Sequence, residues 1–239
     1  YLIENYVIIA GSVIGLIMLL CEKKDVRERF GLRFKGHHAG KSFWMMLLFL
    51  ILYTARLVLA GLTDGSVREV AAIFAEPSTW GMIAALAITF FLSYNAFWGE
   101  EYGWRYYLQP ILQKRFGLRG GVLLLGVAWG IWHIFLDFFY YATPATGLIM
   151  TLSQIITCVT LGIFFAWAYL KTNNIWVPVI LHFMNNNLIL VVANEYSADI
   201  LQDQQVTWSA LPLSLILNGI LFGFFLLAKE FRKGQAAAQ

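Results

Sequence analysis

Apolar residues in this chain gather into long runs, and polar and charged residues collect between them. Seven runs extend approximately from Tyr6 to Cys21, Ser42 to Leu62, Trp80 to Trp98, Gly121 to Tyr141, Leu148 to Leu170, Ile175 to Ala193 and Ala210 to Ala228. A helix needs about 20 mostly apolar residues to cross ~30 Å of hydrocarbon, and each run meets or approaches that length. The pattern predicts an all-α, polytopic transmembrane helix bundle of about seven spans, a single domain over residues 1–239 with no linker, low-complexity tract or internal repeat. The first run resembles a signal peptide only in length. It lacks a basic n-region, an initiator Met and a small-residue cleavage site, and is expected to be a retained helix of a chain whose first residues are missing.

Orientation follows from Lys and Arg, which are retained in cytoplasmic loops. Connections after the first, third and fifth runs, together with the tail, hold fifteen of them, whereas the opposite side holds Arg68 alone and Arg56 lies inside the second run. This alternation predicts an outside N-terminus and a cytoplasmic C-terminus. The segment from Glu22 to Lys41, which mixes basic residues with Phe30, Leu32 and Phe34, suits either an amphipathic helix on the inner surface or a solvated loop.

Composition narrows the class further. The chain is 59% hydrophobic and 13% charged, against about 25% charged for soluble domains, so lipid must cover much of its surface in a multi-pass cell-membrane protein. The net charge of +3 with so much apolar area excludes disorder. Cys21 and Cys158 form neither a disulfide framework nor a zinc spacing and read as packing residues. The basic residues lie beside apolar runs, where anionic head groups account for them better than nucleic acid does.

Ionisable residues within spans tend to face a polar cavity or a partner. Glu100, Glu101 and Arg105 follow the third run, His133 stands in the fourth, and His182 and Asn186 stand in the sixth; His37 and His38 are in a loop. If the third helix continues to about Gln113 and turns between Phe116 and Gly117, Glu100 and His133 are equidistant from the turn. An antiparallel pair rising ~1.5 Å per residue then sets them at one level. His182 and Asn186 reach a similar depth from a turn near Thr172 and Asn173. Pro110 is the position most apt to break the extended helix.

Helical phase separates the two glutamates. Glu101 and Arg105, four residues apart, share a face and suit an ion pair. Glu100, turned about 100° away, shares its face with Gly103, Trp104 and Tyr107, a setting suited to a general base or acid. His182 and Asn186, also four apart, suit two donors aimed at one oxyanion. Each signal alone is equally consistent with interhelical hydrogen bonding. A Glu, two His and an Asn at one depth on three spans are harder to read that way. Trp98, Trp104, Trp129 and Trp132 read as packing or interface belts, and Asp137 and Arg56 as supporting residues.

These residues resemble the motifs of the CPBP family, which joins type II CAAX prenyl endopeptidases to bacteriocin-processing and immunity membrane proteins, also called Abi proteins. Its motifs are E-E-x-x-x-R, F-x-x-x-H and H-x-x-x-N on separate helices. Glu100, Glu101 and Arg105 match the first, and His182 and Asn186 the third. In the second, Trp129 stands where the family has Phe, four residues before His133. The resemblance covers about Trp80 to Ala193 and implies a glutamate-type intramembrane endopeptidase without a cofactor, acting on a membrane-associated, prenylated or leader-containing peptide. It implies that Glu100 with His133 activates water, that His182 and Asn186 hold the oxyanion, and that Glu101 and Arg105 position the motif.

Three other readings remain open on sequence. Glu100, His133 and His182 form a two-histidine, one-carboxylate set of the kind that binds iron or zinc, although H-E-x-x-H is absent. The same fold also serves a non-enzymatic chaperone, immunity or scaffold role. Polar groups at mid-depth also line solute pathways, but no broken repeat pair is visible.

Overall fold

The computed structural model describes residues 39–193 and 201–232, together with positions 13, 17, 20 and 21. Apart from those four positions, the expected first span lies outside the described residues, as does segment 22–38. Among the described residues every regular element is helical. In chain order they are α1 (Ala39–Asp64), α2 (Val67–Ala75), α3 (Pro77–Glu101), a π-helix (Tyr102–Leu108), α4 (Gln109–Trp132), α5 (Ile134–Phe139), α6 (Gly147–Thr172), α7 (Trp176–Ala193) and α8 (Ala210–Leu221), followed by 3-10 turns at Gly223–Leu227 and Lys229–Phe231.

Among the described residues, three helical runs are long and apolar enough to cross a membrane: Ala39–Asp64, Pro77–Phe139 and Gly147–Thr172. The last expected span is instead a 12-residue helix, α8, continued by a 3-10 turn. Large apolar side chains such as Ile88, Phe91, Leu92 and Phe135 point outward, as a lipid-facing surface requires.

The run Pro77–Phe139 is not one rod. At Gly117 the backbone takes φ 77° and ψ 163°, a conformation open to glycine and strained for a residue with Cβ. There the chain doubles back. Gln113 Nε2 donates to the Leu118 carbonyl at 3.1 Å, and a Cβ on Gly121 would lie 2.5 Å from the Gln113 nitrogen. The reversal falls where the equal spacing of Glu100 and His133 requires it.

Pro110 does not break the first limb. It has no N–H for the Tyr106 carbonyl four residues back, and its ring crowds that carbonyl. The helix responds by widening, so that the Gln109 N–H bonds the Trp104 carbonyl five residues back. The π-helix begins immediately after Glu101, and along it the rings of Trp98, Tyr102 and Tyr106 stack at 5.0 and 4.6 Å.

The returning limb of α4 packs on α6 through glycine. A Cβ on Gly126 would sit 2.5 Å from Val159 Cα, and one on Gly130 would sit 2.6 Å from Ile155 Cα. This is the small-x-x-x-small spacing by which membrane helices approach closely. Further along α6, Phe49 of α1 meets Phe164, Phe165 and the Phe222 that follows α8 at 5.8, 6.0 and 5.8 Å. Asn173, left-handed at φ 47°, ends α6. Asn174 then caps α7 through the Trp176 N–H at 3.0 Å and donates to Ser42 Oγ at 3.3 Å, fastening the α6–α7 turn to the start of α1.

Gly130→Leu is expected to destabilise the protein by about 1–3 kcal/mol or more, because backbone rather than a flexible side chain stands in the way. A thermal midpoint in detergent micelles checks this. Gly81→Ala, where a Cβ meets nothing within 4 Å, is expected to leave the midpoint unchanged or raise it slightly.

Candidate active site

At the end of α3 the chain supplies two adjacent carboxylates, and the helix sends them to different surroundings. Glu101 is fully buried (0% exposed), as is Arg105 one turn on. Arg105 Nη1 donates to Glu101 Oε1 at 3.0 Å. The same oxygen accepts from His182 Nδ1 of α7 at 2.9 Å, and His182 is only 3% exposed. Two charge-assisted bonds therefore converge on one carboxylate oxygen and tie α3 to the π-helix and to α7.

Aromatic rings close this cluster. The Arg105 guanidinium lies 4.5 Å from the centre of Trp129 and 5.3 Å from that of Phe165. Its Nε and Nη2 have no hydrogen-bond acceptor, so the ring faces are what offset its desolvation. Phe97 and Trp129 set their rings edge to face with His182 at 5.2 and 5.1 Å. Trp129, whose ring reads from sequence as packing or belt, thus joins the guanidinium to the imidazole. The only sequence sign of this is its place one helical turn before His133.

His133 occupies a break in the helix. α4 ends at Trp132 and α5 begins at Ile134; the His133 N–H turns back to Gly130 O at 3.2 Å. The Trp129 carbonyl is bonded instead by His133 Nδ1 at 2.8 Å. A carbonyl only accepts, so Nδ1 carries the proton and Nε2 of the neutral ring keeps its lone pair. Glu100 and His182 are its electrostatic neighbours.

Glu100 is half-buried, like His133. It lies within electrostatic reach of Arg105, His133 and Cys158, yet its Oε2 has no hydrogen-bond partner. Asn186, by contrast, is exposed, and its Oδ1 accepts from Asn185 Nδ2 at 3.0 Å. Of the residues singled out from sequence, Glu101, Arg105 and His182 are directly bonded together, Glu100 and His133 are grouped beside them, and Asn186 lies one turn along α7 with its own partner. Asp137 is fully buried on α5 beside Thr151. Among the described residues no group of three His, Cys, Asp or Glu is placed to hold a metal ion.

The result is a dry cluster of Glu101, Arg105 and His182 adjoining a more accessible Glu100 and His133, built by helices of a membrane protein. This describes a helix-bundle membrane protein with the residue types of an acid–base hydrolytic site. Residues 77–188 match the model of the type II CAAX prenyl endopeptidase Rce1-like family. A curated relative, CAAX prenyl protease 2 of Methanococcus maripaludis, is 32% identical over 92 residues, 36% of this chain and 34% of the relative. The chain thus spans about a third of the length of that relative, and no solved structure matches it significantly. The matched segment is thus similar to the type II CAAX prenyl endopeptidases, the family its motifs resemble.

Removing one member of the buried pair strands the other. Glu101→Ala is expected to cost about 3–5 kcal/mol of stability. Adding Arg105→Ala should cost clearly less than the sum of the single changes, as unfolding in micelles around the double-mutant cycle will measure.

Proposed function

We propose that this protein is an intramembrane endopeptidase that hydrolyses a peptide bond near the C-terminus of a prenylated, membrane-associated peptide. The observation that carries the reading is the half-buried Glu100 beside a His133 whose Nδ1 is occupied, in a segment matching the Rce1-like family. The name of the M. maripaludis relative supports the substrate class.

In this mechanism a water gives one hydrogen to the Glu100 carboxylate and the other to His133 Nε2, which aims its lone pair at the scissile carbonyl. Glu100 takes the proton as the C–O bond forms and passes it to the departing amine nitrogen as the C–N bond breaks. The oxyanion is met by His182 Nε2–H and Asn186 Nδ2–H. His182 already gives Nδ1–H to Glu101 at 2.9 Å, so donation from Nε2 is made by the imidazolium form. The Asn186 amide oxygen is occupied by Asn185, which leaves its N–H group for the substrate.

The family-like core extends over about 80–193, and the wider topology proposed is about seven spans in a cell membrane with the N-terminus outside and the C-terminus cytoplasmic. The distribution of Lys and Arg supports that orientation. The site then opens toward the cytoplasm, where a lipid-anchored peptide presents its end.

Glu100→Ala is expected to lower cleavage of a fluorogenic prenylated peptide by about 100-fold to 10,000-fold with an unchanged thermal midpoint, since Glu100 Oε2 bonds nothing. Retained turnover overturns its role. Comparison of membranes carrying the two forms should reveal the substrate as an uncut precursor. Chelators are expected to leave the rate unchanged, whereas sensitivity reversed by zinc or iron would favour the metal reading.

A further inference from the structure

The site leaves Arg56 unexplained. It sits within α1, a candidate membrane span, where a permanent cation is costly unless it faces a partner or a polar space. Its half-buried side chain has Tyr53 as an electrostatic neighbour and no carboxylate partner among the described residues.

The direction and level of Arg56 can be read from its neighbours. Ser42, Phe49 and Arg56 recur every seven residues, so successive members are offset by only about 20° around the helix. Ser42 bonds Asn174, and Phe49 is fully buried against Phe164 and Phe165. Arg56 is therefore on the inward face. Phe165 touches Phe49 at 6.0 Å and His182 at 6.2 Å, and the Arg105 guanidinium lies over it at 5.3 Å, which sets Phe49 level with the candidate site. α1 and α7 both run away from the contact of Ser42 with Asn174. Seven residues of α1 then put Arg56 about 10 Å beyond His182 along the bundle.

We propose that Arg56 binds the free α-carboxylate of the substrate's C-terminus. This rests on the protease reading. A C-a-a-X peptide cut after its modified cysteine has three residues and a terminal carboxylate beyond the scissile bond, and three extended residues span about 10 Å. A guanidinium is the side chain best shaped to take a carboxylate through two parallel hydrogen bonds. The position of Arg56 thus measures the length of the departing segment, and its charge selects a chain end over an internal sequence.

The test uses the full chain in micelles with paired prenylated peptides that differ only in ending as a free acid or an amide. The wild type is expected to cleave the acid with at least tenfold higher kcat/KM than the amide. Arg56→Gln should bring that ratio close to one, and Arg56→Lys should restore part of it. Lengthening the segment after the cut by one residue should erase the acid's advantage in the wild type. A wild type that cleaves both alike, an Arg56→Gln variant that keeps the ratio, or one that loses both cleavages together overturns the inference while the protease reading stands. A wild type that cleaves neither peptide overturns both.

Discussion

The arrangement depends on a carboxylate and a guanidinium that have both been withdrawn from water. Removing two such ions from solvent costs several kcal/mol each even after relaxation, and their attraction offsets this only when the geometry is good and other hydrogen bonds complete it. Glu101 and Arg105 meet at 3.0 Å, and His182 adds a bond at 2.9 Å to the same oxygen. Trp129 and Phe165 cover the guanidinium with ring faces where no acceptor is present. Because these groups come from α3, the π-helix, α4, α6 and α7, none of the five can shift far without exposing a bare charge to an apolar interior. The pair acts as a post around which the helices are registered.

Close helix contact has a complementary part. The glycines at 126 and 130 bring α4 against the backbone of α6, and this proximity lets Trp129 and Phe165 converge on one guanidinium. A larger residue at either glycine would separate the two rings as well as the two helices. Packing and electrostatics are therefore two views of one constraint. In hydrocarbon there is little hydrophobic drive between helices, so shape and buried polar bonds must fix their relative positions.

Much of this was legible in the chain. The four-residue spacing of Glu101 and Arg105 foretold their pairing, and equal distances of Glu100 and His133 from the Phe116–Gly117 junction located the reversal that Gly117 makes. Features governed by tertiary contacts were not legible. His182 and Asn186 share a face by spacing, yet His182 turns to Glu101 and Asn186 to Asn185. A four-residue interval leaves about 40° between directions and says nothing of which partner each will find. Pro110 signalled a break, and the helix absorbed it by widening. The tautomer of His133 follows from a helix interruption at that residue, and no periodicity reports such an interruption.

Adjacent acidic residues on one helix offer a physical route to dividing labour at a site in a membrane. A carboxylate bonded to a guanidinium is a fixed structural anion and a poor acceptor for a proton from water. One that is unpaired and reached by solvent can accept it. A step of one residue turns the side chain by about 100°, enough to send Glu101 into the dry cluster and leave Glu100 at its edge. The two roles could not be exchanged without moving Arg105, because its interval of four residues selects Glu101 and excludes Glu100. The order of residues in Glu100-Glu101-x-x-x-Arg105 is thus itself a specification: the second glutamate is drawn into the dry cluster and the first is left half-buried and unpaired at its edge.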